Sequence, residues 1–375
     1  MLVRARVPLA LSAALASLLT GATGVRAEGT DDVRARYTKY EYRIPMRDGV
    51  RLFTSVYVPK DASAARLYPI LLNRTPYGVA PYGPDAYRDD VGPSPAAGRE
   101  GFIVAYQDVR GRFMSEGQFV DVRPYDPAKG PRDTDESSDA WDTIDWLVGH
   151  VRWNNGRVGV WGISYPGFYA AMAAIDAHPA LHAVSPQAPI ADWFVGDDFH
   201  HNGAFFLPHA FNFYAVFGRP RPEPTSKWGP SFDHGTADGY RFFLDAGAMP
   251  NFDRRFLKGQ VAFWKEVMGH ETYDAFWQAR NTRPHLKAIR PAVLTVGGWF
   301  DAEDLFGALE TYRSIERQSP GASNRLVMGP WSHGGWARTS GESLGAVRFG
   351  QPTSRFFQEQ IELPFFREYL KEGKD

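Results

Sequence analysis

The sequence contains no cysteine, which excludes disulfides, thiolate nucleophiles, zinc ribbons and iron–sulfur clusters together. Stability has to come from packing. Neither sign of charge is in excess: 42 Lys and Arg stand against 43 Asp and Glu, a net charge of −1. Nothing in that balance drives binding to a phosphate backbone, so nucleic acid is not an expected partner. No His-Glu-x-x-His or comparable ligand spacing occurs, which argues against a zinc hydrolase; neither a metal nor an organic cofactor is expected. Internal repeats and low-complexity tracts are also missing.

What is there is material for a large core. The 375 residues are 43% hydrophobic and include 11 Trp, 17 Tyr and 26 Phe, which excludes both a single small module and global disorder. The start reads as an export signal: Arg4 and Arg6, an apolar run over 8–19, and Val25-Arg26-Ala27 as a small-residue cleavage site. That run is shorter than the roughly 18 residues a membrane span needs. Residues 1–27 are therefore expected to be removed by a cut after Ala27, giving a periplasmic or secreted chain with no membrane attachment and a net charge of −4.

Short apolar runs separated by turn residues or by stretches of helical period predict an α/β fold with a mostly parallel sheet of eight strands. The strands are expected at 41–45, 51–58, 69–73, 102–107, 157–161, 182–186, 292–296 and 325–328, the first two joined by a hairpin at Asp48-Gly49. Asp133, Asp135, Glu136, Asp139 and Asp142 crowd one segment. Without the glycine-centred spacing of a calcium loop, they read as the acidic start of a helix whose apolar face carries Trp141, Ile144, Leu147 and Val148. Residues 190–290 break the alternation and predict a largely helical cap insertion, with amphipathic stretches near 253–266 and 272–279. The cap divides the α/β domain into 28–189 and 291–375, and 356–374 reads as an amphipathic helix with a charged tail.

The sharpest local signal is Val158-Gly159-Val160-Trp161-Gly162-Ile163-Ser164-Tyr165-Pro166-Gly167, a strand, a serine among small residues and then a helix over 166–177. A serine on such a turn is lifted clear of the sheet, and the N–H of Tyr165 points where an oxyanion would form. The strict Gly-x-Ser-x-Gly pattern is not met, because position 166 is Pro and the second glycine comes one later. A helix-capping serine is the competing reading. Two further strands end in Gly297-Gly298-Trp299-Phe300-Asp301 and in Gly329-Pro330-Trp331-Ser332-His333, so an acid and a histidine each follow a strand's carboxyl end. The chain order Ser164, Asp301, His333 is that of the α/β-hydrolase fold. In that reading His333 takes the serine proton and Asp301 holds the imidazolium. His178, His182, His200, His201 and His209 compete poorly as bases. Glu303 and Asp304 read equally well as acids at a helix start or as part of a site. Trp299, Phe300, Phe199, Phe205 and Phe206 are candidate apolar walls.

The Ser-Tyr-x-Gly turn, Asn73-Arg74-Thr75-Pro76-Tyr77-Gly78, Asp108-Val109-Arg110-Gly111 and Gly-Pro-Trp-Ser-His together resemble the cocaine esterase/X-prolyl dipeptidyl peptidase group, and within it the α-amino acid ester hydrolases. The likeness runs from about Tyr40 to about Tyr369. It implies an oxyanion hole made by the Tyr77 hydroxyl with the Tyr165 N–H, and a carboxylate cluster of Asp198, Glu303 and Asp304 that holds a substrate's α-ammonium group. It implies a serine esterase acting through an acyl-enzyme on small α-amino acid esters or amides, with transfer to a β-lactam amine as a second outcome, and a homo-oligomer. It also implies a C-terminal β jelly-roll domain, which this chain is not expected to contain. Peptidase, glutaryl acylase or cocaine-esterase-like activity, and a catalytically incompetent relative, are the alternatives.

Overall fold

The computed structural model describes residues 29–371, and the predicted export signal lies outside the described residues. Tyr37–Pro45 (β1) and Arg51–Pro59 (β2) pair antiparallel, and the Asp48 carboxylate accepts the Val50 N–H at 3.1 Å to close the turn between them. Tyr68–Thr75 (β3), Ile103–Asp108 (β4), Asn154–Ile163 (β5) and Leu181–Gln187 (β6) follow. A short ribbon, His200–His201 (β7) with Ala204–Phe205 (β8), precedes Ala292–Gly298 (β9) and Asn324–Gly329 (β10). The main sheet has the order β1-β2-β4-β3-β5-β6-β9-β10. β2 is antiparallel to both neighbours and the other pairs are parallel. All eight predicted strands are present, and with the flanking helices they make the expected α/β-hydrolase fold.

Alternation within each strand builds two cores. Ile70, Leu72, Val158 and Val160 face the layer containing Ile144, Leu147 and Phe168, from helices Glu136–His150 and Tyr165–Ala174. Leu71, Val104, Ala183 and Leu294 face Phe365, Phe366 and Leu370 of helix Leu363–Leu370. Helices on both faces explain why β4 and β9 are buried along their whole length and read as unbroken apolar runs. The chain places β4 on one side of β3 and β5 on the other. Such a reversal opens a crevice at the strands' carboxyl ends.

The acid-rich segment is a helix start. Asp135 accepts the Ser138 N–H at 2.8 Å, and the Ser138 hydroxyl accepts the Asp135 N–H at 2.9 Å, a reciprocal cap. Its neighbours are ion-paired: Arg110 reaches Asp139 at 2.7 Å and Asp48 at 2.6 Å, Arg74 reaches Glu136 at 3.2 Å, and Arg47 reaches Asp142 at 2.8 Å.

Three helical predictions change in detail. The helix after Ser164 ends at Ala174, because Asp176 turns to φ 51° and its carboxylate is held by Tyr125 at 2.7 Å and Lys129 at 3.0 Å. The stretch expected over 253–266 is split by the left-handed Lys258, leaving a π-helical turn Asp253–Leu257 and a helix Ala262–Gly269. The last helix starts earlier than expected, at Thr353, and carries a π-helical turn at Gln358–Glu362. Between β6 and β9 the remaining helices, among them Leu207–Phe217, pack through an aromatic cluster centred on Phe211, whose ring lies 5.0–5.9 Å from those of Phe232, Phe242, Phe243, Phe252, Phe256 and Trp264. Among the described residues, no helix is long and apolar enough to cross a membrane.

Candidate active site

Ser164 stands between β5 and its helix with φ 68° and ψ −127°, a conformation that L-residues avoid and that only a well-packed surrounding sustains. Its N–H donates to the Gln187 carbonyl at 2.9 Å, and its own carbonyl accepts the Phe168 N–H at 3.0 Å. The two glycines make this turn possible. A Cβ on Gly162 would sit 2.2 Å from the Pro166 carbonyl oxygen, and one on Gly167 would sit 2.4 Å from the Gln187 carbonyl oxygen. Gly167 therefore brings the helix against β6, which is why the second glycine falls one place later than the usual pattern. Pro166 costs nothing in the first helical turn, where its missing N–H would have had no helical partner.

Tyr165 is buried, and its hydroxyl donates to Asp121 at 3.2 Å while accepting the Val122 N–H at 2.8 Å. Tyr77 follows β3, and its hydroxyl is hydrogen-bonded to the Ser164 side chain. Burial, then the charges of Asp198 and Asp304, push the Tyr77 phenol well above its ordinary value, so it stays a protonated donor.

His333 and Asp301 meet as the strand ends predict. His333 Nδ1 is 2.9 and 3.1 Å from the two Asp301 oxygens, and Asp301 Oδ1 also accepts the N–H groups of Glu303 at 2.8 Å and Asp304 at 3.0 Å. Burial lowers the His333 pKa, but the Asp301 hydrogen bond and charge outweigh it, and the net direction is up. Nε2 lies 3.5 Å from Glu303 Oε2.

The three acids also come together. Asp198, at φ 44°, donates its N–H to the Glu303 carbonyl at 2.9 Å. Its carboxylate accepts the Trp193 indole N–H at 2.8 Å and faces His209 Nε2 at 3.3 Å. Burial would raise the Asp198 pKa, yet the bonds from His209 and Trp193 hold it below the ordinary range. Asp304 is the opposite case. Its side chain is 0% exposed, no N–H or hydroxyl group among the described residues donates to either oxygen, and its one hydrogen-bond contact is with the Asp198 carboxylate, which requires a proton between the two; its nearest cation is His333 Nδ1 at 3.9 Å. Burial, then the charges of Asp198, Asp197 and Asp301, drive its pKa well up. Burial also raises that of Glu303, a third exposed.

Two participants escaped the sequence reading. His209, set aside as an insertion histidine, pairs with Asp198, because the β7–β8 ribbon turns helix Leu207–Phe217 back over the site. Asp197 is fully buried and accepts the N–H groups of Ala191 and Asp192 at 2.8 Å and Gly307 at 2.7 Å, tying the cap's first loop to helix Leu305–Gln318. No spacing rule links residues 198 and 209. The candidate aromatic walls differ in their exposure. Phe199 is 2% exposed and packs on Trp193, Phe213 and Tyr214, whereas Trp299 and Phe300 are more than half exposed. Phe206 lies against His201.

Comparison with known proteins fits this geometry. The family model for X-Pro dipeptidyl-peptidases of the S15 family matches residues 48–335. The cocaine esterase of Rhodococcus sp. (strain MB1 Bresler) is 29% identical over 300 residues, 77% of this chain and 48% of that protein. A solved α-amino acid ester hydrolase superposes with a TM-score of 0.81 at 34% identity, covering 96% of this chain and 58% of the other. An aminopeptidase from a marine sediment archaeon, Thaumarchaeota archaeon, gives 0.80 at 33% identity, covering 90% and 55%. The chain thus spans about half the length of the relatives it matches.

Proposed function

The chain belongs to the X-Pro dipeptidyl-peptidase (S15) family, and from that premise we propose that it is a serine hydrolase cleaving esters of α-amino acids, with their amides as a second substrate class. Ser164 Oγ attacks the carbonyl carbon while its proton passes to His333 Nε2, and Asp301 stabilises the imidazolium through Nδ1. The Tyr165 N–H and the Tyr77 hydroxyl receive the developing oxyanion. Collapse expels the alcohol, which takes the proton from His333, and leaves an acyl-enzyme. Water or an acceptor amine, a β-lactam amine included, then releases the acyl group by the same steps in reverse.

The observation that carries the substrate class is Asp304: a buried acid that no N–H, hydroxyl, lysine or arginine among the described residues answers, in contact only with another acid, Asp198, and near Tyr77. Grouped acids in a dry pocket repel one another, and a substrate ammonium relieves that repulsion within reach of the nucleophile. An ammonium engaging Glu303 also draws that carboxylate away from His333 Nε2, leaving the imidazole for the serine proton. The names of the two structural neighbours, an amino acid ester hydrolase and an aminopeptidase, support an amino acid substrate and favour testing an amide as well. We further propose that the chain is exported, with cleavage after Ala27, and forms homo-oligomers; N-terminal sequencing and sedimentation of the exported protein test these two points.

The deciding experiment compares kcat/KM for phenylglycine methyl ester, phenylglycine amide and phenylacetic acid methyl ester, with Ser164→Ala as control. The amine-bearing ester is expected to win over its des-amino analogue by about 10- to 100-fold, roughly 1.4 to 2.8 kcal/mol of transition-state preference. Equal rates on the two esters would make this a general esterase with a structural acid cluster. Turnover that survives Ser164→Ala would remove the serine mechanism altogether.

A further inference from the structure

The acid cluster is not purely acidic, because a cap histidine completes it. Asp198, His209 and Glu303 each offer one ligand atom, and these atoms all lie within 4.8 Å of one another. Asp198 Oδ1 and His209 Nε2 are 3.3 Å apart. With bonds of about 2.0–2.2 Å to nitrogen and oxygen, two ligands of a tetrahedral zinc ion are separated by roughly 3.3–3.5 Å. One edge of such a tetrahedron is therefore already set. Glu303, a third exposed, has a ligand oxygen within 4.8 Å of the other two and completes a face by closing up to about 1.4 Å.

A second observation points to a cation. Asp304, on the same helix start as Glu303, is wholly buried, no N–H or hydroxyl group among the described residues donates to either of its oxygens, and its hydrogen-bond contact is with a second acceptor, the Asp198 carboxylate. The pocket thus holds more acceptor capacity than its own donors satisfy. The surroundings of Asp198 suit a metal ligand as well: the Trp193 indole fixes its other oxygen at 2.8 Å, as outer-shell donors do for ligating carboxylates. An imidazole with two carboxylates selects zinc-like ions over magnesium or calcium, which prefer oxygen ligands throughout.

We propose that Asp198, His209 and Glu303 form a site for a divalent transition-metal ion, zinc in the first instance, which inhibits the enzyme reversibly by occupying the place of the substrate's ammonium group. Binding of the ion stands on these residues alone. Its competition with substrate rests on the ammonium reading above. His209 takes the metal through Nε2 once that nitrogen gives up its proton, and the fourth position is left for water or an Asp304 oxygen. With the ion in place Glu303 and Asp198 are neutralised, so the amine-bearing substrate loses the feature that distinguishes it from its des-amino analogue.

The test uses the full chain and zinc chloride. Equilibrium dialysis at neutral pH is expected to find one equivalent of zinc, weakened at least about tenfold in His209→Asn, with thermal melting to show that the variant is folded. Zinc is expected to raise KM for phenylglycine methyl ester with little change in kcat, reversibly on adding a chelator, while calcium at the same concentration has no effect. Zinc bound equally by the wild type and His209→Asn, or no stoichiometric zinc in the wild type, overturns the site. Inhibition unchanged in His209→Asn overturns it too, placing the ion on His333 instead. Failure of the ammonium reading has a different signature: zinc binds and depends on His209, but the two esters react alike in metal-free protein.

Discussion

The molecule carries two groups of acids built around buried members, and they are opposites. At the start of helix Glu136–His150, Glu136, Asp139 and Asp142 are each met by an arginine, with Arg110 and Arg74 themselves nearly inaccessible. At the candidate active site, Asp198, Glu303 and Asp304 are met by no arginine or lysine among the described residues, only by His209 and His333. Composition is alike in the two places. What differs is whether the fold supplies the counter-charge. Where it does, the acids hold β-strands and helix together; where it does not, the pocket is left with an appetite for a cation from outside. Glu362 marks the boundary between these cases. It is buried with one neutral donor, the Gln187 amide at 2.7 Å, and burial pushes its pKa up to about 7. A lone acid escapes the conflict by keeping its proton.

The contrast can be broken at either end. Arg110→Met leaves Asp139 and Asp48 without their cation, and stability is expected to fall by about 3–5 kcal/mol in denaturant titration, the usual cost of orphaning a buried charge. A loss below about 1 kcal/mol would mean that the arginine pairs are not what neutralises this cluster.

Tyr77→Phe probes the other group, because burial, then the charges of Asp198 and Asp304, push the phenol's pKa up and leave it a hydrogen-bond donor. A fall of about 10²–10³ in kcat, or about 2.7–4 kcal/mol, is expected with the fold intact. An unchanged kcat removes Tyr77 from the oxyanion hole.

Glu362→Gln tests the lone acid through pH. A carboxyl whose folded pKa lies above its unfolded value of about 4.5 weakens the fold as pH rises from that value to about 7. The variant should match the wild type below pH of about 4.5 and exceed it by up to about 3 kcal/mol above about 7. An advantage independent of pH would refute the protonated state.

Asp304→Asn gives the finest discrimination. It removes an acid whose charged form burial, then the charges of Asp198, Asp197 and Asp301, disfavour, so melting temperature should hold or rise while the preference for an amine-bearing ester drops by about 10- to 100-fold, roughly 1.4–2.8 kcal/mol. If stability falls instead, Asp304 belongs with the structural acids.

Much of this molecule could be read before folding it. The eight strands appear where apolar period and turn residues place them, the Gly162-to-Gly167 segment declares its strained turn, and Asp301 and His333 each announce themselves by standing just past a strand. These are local properties, set by side-chain period and by which residues tolerate a given backbone. Two outcomes were beyond that reach. The burial of Phe199 in the core, with Trp299 and Phe300 turned outward, depends on which face each loop presents after the cap has packed. The fate of each acid depends on what the sheet order brings beside it: Arg74 from β3 and Arg110 from the loop after β4 reach the helix at Glu136, while His209 arrives at Asp198 only because a ribbon reverses the cap. A sequence determines which groups carry charge and where the backbone bends. Only the tertiary structure decides which charges are answered, because Coulomb energy and desolvation depend on distances between elements far apart in the chain.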